Sequence, residues 1–91
     1  MEEYLHPKEQ ALLACFRSNY LKSMRVITTI SEEECFSCGI TTAYQAGEVL
    51  KALMIREYIY FNAELDYEGN SIYRKTIKIK EKALNYFNKK E

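Results

Sequence analysis

Between Ser31 and Ile79 the hydrophobic pattern changes from helical to alternating spacing behind a single glycine turn, which leaves few folds open to the chain. Ser31-Glu32-Glu33-Glu34 has the S-x-x-E form of a helix start. There the serine hydroxyl and the third-position carboxylate satisfy backbone donors that a first turn leaves unpaired. This helix, 31–38, ends at Cys38, because Gly39 takes up the left-handed backbone at little steric cost. Thr41 or Thr42 caps a longer helix over 42–56. Its buried stripe is Ala43, Ala46, Val49, Leu50, Leu53 and Met54; Thr42, Tyr44, Gln45, Glu48 and Lys51 make its outer face. Gly47 inside that helix costs about 1 kcal/mol relative to Ala, which suggests close contact with a neighbouring helix.

A hairpin over 58–79 comes next. Ile59, Phe61, Ala63 and Leu65 share one face of its first strand, with Tyr58, Tyr60, Asn62 and Glu64 on the other. Tyr67 to Ser71 form the loop, with Gly69-Asn70 at the positive-φ positions. In the return strand Tyr73, Lys75, Ile77 and Ile79 alternate with Arg74, Thr76, Lys78 and Lys80. Before this unit, Pro7 opens a helix over 7–22 whose stripe is Leu12, Cys15, Phe16, Asn19 and Tyr20, widened by Leu13. Val26-Ile27-Thr28 is a short β-branched strand placed to pair with the base of the hairpin. A last helix, 81–88, sets Ala83, Leu84 and Phe87 against the core. His6, beside Pro7, belongs to the start of the first helix.

Ninety-one residues make one domain, 1–91, of α+β class. Its apolar share of 47% and charged share of 29% are those of an ordinary globular protein. No apolar run approaches the ~18 residues of a membrane span, so no membrane partner is expected. Three cysteines without a signal peptide suggest free thiols and a cytoplasmic setting. Net charge is zero but unevenly spread. Ser31 to Tyr73 holds two basic residues against eight acidic; Arg74 to Glu91 holds seven basic against two acidic.

The segments Cys38-Gly39-Ile40-Thr41, Val49-Leu50-Lys51-Ala52-Leu53, Glu57-Tyr58-Ile59 and Thr76 to Phe87 together resemble the winged helix-turn-helix regulators of bacteria, archaea and their viruses. The likeness covers about three-quarters of the chain. Cys38 stands where a leucine is usual, and Glu57 where a glycine is common. The resemblance implies a small winged-helix domain: a three-helix core, a two- or three-stranded antiparallel wing and a C-terminal helix. It further implies a transcriptional regulator that places helix 42–56 in the major groove of double-stranded DNA and the wing on the backbone. Thr41, Thr42, Tyr44 and Gln45 are then the candidate base readers, since Gln pairs with adenine and threonine or tyrosine meets a thymine methyl or a phosphate. Lys51, Arg74, Lys75, Lys78 and Lys80 are the candidate phosphate contacts. A homodimer is the habit of that family.

The acidic middle opens a second reading. Glu48 and the hairpin-tip residues Glu64, Asp66 and Glu68 repel DNA, and such a domain also suits a protein-binding module that docks on a host protein by imitating nucleic acid. Cys35-Phe36-Ser37-Cys38 is a lone C-x-x-C. A tetrahedral metal site would need Cys15 and His6 to join it, so the thiols are read as small buried hydrophobes, with no metal and no cofactor. With one histidine and no Gly-rich phosphate loop, no catalytic residue is assigned and no enzyme is expected.

Overall fold

A computed structural model describes residues 4–62 and 72–89. The hairpin loop Tyr67–Ser71, the strand positions Ala63, Glu64 and Leu65, and Asp66 with Glu68 lie outside the described residues. Within them the chain is a small α+β domain of four α-helices and a three-stranded antiparallel sheet. The order is α1 (Pro7–Ser23), β1 (Ile27–Thr28), α2 (Glu32–Ser37), α3 (Ala43–Ile55), β2 (Ile59–Tyr60), a 3-10 turn (Ile72–Arg74), β3 (Ile77–Ile79) and α4 (Glu81–Lys89).

The helix boundaries follow local chemistry. His6 caps α1: its Nδ1 accepts from the Lys8 N–H at 3.2 Å, while Glu9 Oε1 accepts from the His6 N–H at 2.9 Å. Ser31 and Glu34 make the expected reciprocal cap on α2, at 3.1 Å in each direction. Gly39 has φ +81, and the Ile40 N–H closes the turn on the Cys35 carbonyl at 2.8 Å. Thr42 caps α3, its Oγ1 accepting from the Gln45 N–H at 3.0 Å. The far end of α3 stops at Glu57, which takes a positive φ of 69 that a glycine would adopt more cheaply.

In the sheet β3 is central, in the order β1-β3-β2. Ile27 pairs with Lys78 and Thr28 with Ile77 on one side; Ile59 pairs with Ile79 and Tyr60 with Lys78 on the other. The expected partnership between the 26–28 strand and the base of the hairpin is therefore present. Ile77 and Ile79 face inward and Lys78 outward, as the alternation requires. The helices cover the inner face, where Phe16, Leu12, Leu13, Ile30, Ile40, Leu50, Leu53, Ile59 and Phe61 form one cluster. Ala83 and Phe87 of α4 close it.

Three expectations need correction. Among the described residues the first hairpin strand is β at Ile59–Tyr60, and Tyr58 is buried together with Ile59 rather than facing away from it. The cause is the left-handed turn at Glu57, which breaks the alternation just before the strand. The return strand starts at Ile77, because Ile72–Arg74 winds into the 3-10 turn. In α3, Ala43 is exposed, and a Cβ built on Gly47 meets nothing within 4 Å. Close helix contact is not what keeps a glycine there.

Candidate nucleic-acid interface

The outer surface of α3 and the outer face of the sheet carry the residues singled out above. Helical spacing puts Tyr44, Glu48, Lys51 and Ile55 on one stripe of α3, and all four are exposed. Tyr44 and Ile55 are each 79% exposed, far beyond what a solvated helix face needs. At the head of the helix Thr41 and Thr42 are exposed and Gln45 is half-buried. Gln45 Oε1 accepts from the Thr41 N–H at 3.1 Å. One lone pair of this oxygen is used there and a second is left for an adenine edge. Thr42 spends its acceptor on the cap and keeps its hydroxyl hydrogen for a partner.

On the sheet, Lys78 stands at the centre of the outer face between Ile27 and Tyr60, each 58% exposed. Lys80 is half-buried, with Nζ 3.9 Å from Glu57 Oε1. Lys75 is half-buried and sits just past the 3-10 turn, its N–H donating to the Ile72 carbonyl at 3.3 Å. The Arg74 side chain lies outside the described residues. Helix α3 packs against the Ile72–Arg74 turn, the segment that bears Arg74 and leads into Lys75. Lys78, on the outer face of the sheet, forms a separate outpost.

Sequence reasoning overlooked two basic residues. Lys22 and Arg25 line a shallow groove of about 450 Å³ at the end of α1, together with Thr28, Thr29 and Thr76. They are brought to the β1 edge by Met24, whose φ of 57 turns the chain out of α1. A left-handed methionine leaves no compositional trace, so no signal in the sequence marked this bend.

The opposite end of α3 is anchored. Arg56 Nε lies 3.2 Å from Glu9 Oε2, and Glu9 is 5% exposed, the buried charged residue among those described. Lys82 of α4 donates to the Arg56 carbonyl at 2.7 Å while its Nζ sits 4.6 Å from the centre of the Tyr58 ring. Tyr58 in turn meets Tyr86 edge-on at 5.8 Å.

The thiols do not gather around a metal position. His6 stands nine residues before Cys15 along α1, roughly 13 Å down the helix axis, and is engaged in the cap. Among the described residues no group of three or more His, Cys, Asp or Glu side chains is placed to hold a metal. Burial pushes the Cys35 thiol up to about 11, helped by the charges of Cys15, Glu34 and Glu32. No described helix is long and apolar enough to cross a membrane. No family model, curated protein or solved structure matches the chain.

Proposed function

We propose that this protein is a winged helix-turn-helix DNA binder of regulatory type, with α3 in the major groove. The observation that supports this reading is the connectivity: helix, short strand, two helices joined by a glycine turn, then two strands of which the last lies centrally beside the first. Thr42, Tyr44 and Gln45 would meet base edges from the head of α3, with Thr41 beside them on the DNA. Lys51, Arg74, Lys75, Lys78 and Lys80 would meet phosphates.

The test is fluorescence anisotropy on labelled duplex pools from low to physiological salt. The reading expects binding that weakens steeply with salt. Lys78→Ala weakens binding to all sequences alike and flattens the salt dependence by about one charge. Gln45→Ala relaxes sequence preference instead. Equal losses for both variants on every duplex would remove Gln45 as a reader.

One observation favours a second reading, a protein-binding module. Tyr44 and Ile55 offer apolar surface on the same stripe as Glu48, a combination that suits a protein groove better than a phosphate backbone. Absence of duplex binding even at low salt would transfer the assignment to that class.

A further inference from the structure

Two thiols that are far apart in sequence touch in the fold. Cys15 lies midway along α1 and Cys38 caps α2, and their Sγ atoms are 3.3 Å apart. That separation exceeds a covalent S–S bond by roughly 1.3 Å. Both side chains are half-buried and so remain open on one side to a small reagent, whereas Cys35 is fully enclosed in the core. The C-x-x-C spacing therefore points to the wrong pair. Cys38 is also held in place: its N–H donates to the carbonyls of Glu34 and Cys35, and the Gly39 turn fixes the chain behind it. The gap that remains is shorter than the bond that would close it.

We propose that Cys15 and Cys38 form a reversible disulfide by exchange with a small-molecule disulfide of the glutathione type, leaving Cys35 a free thiol. Cys38 acts first. Its thiolate attacks one sulfur of the reagent, the reagent's S–S bond breaks, and one glutathione leaves as thiolate. Cys15 then loses its proton to solvent and attacks Cys38 Sγ, and the second glutathione leaves. Two protein thiols are oxidised by two electrons, and one glutathione disulfide is reduced to two glutathione thiols.

The surroundings of Cys15 hold its proton, which suits this thiol to the second, intramolecular step. Burial first, then the hydrogen bond and charge of Cys38, then the charge of Glu34, push its thiol up to about 12. Such a group is a poor attacker of a dilute reagent at neutral pH, but it succeeds once its target is held in contact. Once formed, the bond ties the middle of α1 to the turn that leads into α3.

The whole protein is equilibrated in buffers of graded oxidised and reduced glutathione. Free thiols are then blocked with iodoacetamide in denaturant and the intact mass is read. The expected result is loss of two hydrogens with one blocked thiol. Chymotryptic cleavage after Phe36 separates Cys35 from Cys38, and the Cys15 peptide is then found joined to the Cys38 peptide, with the block on Cys35. Cys15→Ser holds a single glutathione on Cys38. Three blocked thiols in every buffer, or a bridge that includes Cys35, would overturn the proposal.

Discussion

The two ends of α3 are built on opposite plans. At its C-terminal end Arg56 and the residues after it are gripped by α1 through Glu9, by α4 through Lys82, and by the Tyr58–Tyr86 contact. At its N-terminal end Ile40 and Ala46 are buried in the core, while the polar groups are paired within the first turn, through Thr42 and Gln45, and Thr41, Thr42, Ala43 and Tyr44 are exposed. Anchorage and presentation are thus separated along one helix. A helix fixed at one end can offer the other to a partner without being loosened by the change.

The contrast is broken if stability does not track it. Arg56→Ala should cost about 2–3 kcal/mol in chemical denaturation, less than a fully buried pair because the arginine is partly solvated, yet large because Glu9 is left buried beside no cation. If the loss does not exceed that of Thr42→Ala, the gripped end is not the stronger one. The next effect comes from pH. Folding holds the Cys35 proton, with the folded value at about 11 against an ordinary 9.0. That contribution is fully present below pH 9 and is lost as pH rises through 11. Thermal unfolding should therefore show a midpoint that falls across this window, and Cys35→Ala should flatten the fall. Thr42→Ala should cost about 1 kcal/mol through the lost cap, measured by urea unfolding. Gly47→Ala should act in the other direction and stabilise by up to about 1 kcal/mol, since the space beside it is open. A destabilised Gly47→Ala would show that the space beside Gly47 is not open.

The sequence disclosed the features that short-range chemistry decides. The Ser31–Glu34 box, the Gly39 turn, the Thr42 cap and the β-branched strand at 26–28 all rest on a few adjacent residues, and all are found. The features that stayed hidden depend on the backbone of residues with no special preference. Met24 and Glu57 occupy left-handed positions that neither residue type announces, and each redirects the chain beyond it. Glu57 places Tyr58 inside, and Met24 carries Arg25 and Ile27 to the sheet edge. Nothing local marks Glu9 as buried, because its partner Arg56 is 47 positions away in the chain. The contact of Cys15 with Cys38 was masked for the same reason, by the nearer and misleading Cys35. At the candidate interface the helix residues were legible from periodicity, while the half-burial of Lys75 and Lys80 arises from packing that no local pattern carries.

The central position of β3 also sets a timetable for the molecule. Strands β1 and β2 are each two residues long and share no hydrogen-bonded border; each finds its partner only in Ile77–Ile79. During synthesis the sheet must wait for this late segment, however early the helices have condensed. Until then β1 and β2 each leave unpaired the edge that β3 takes up. Three residues thus join two strands that do not border each other.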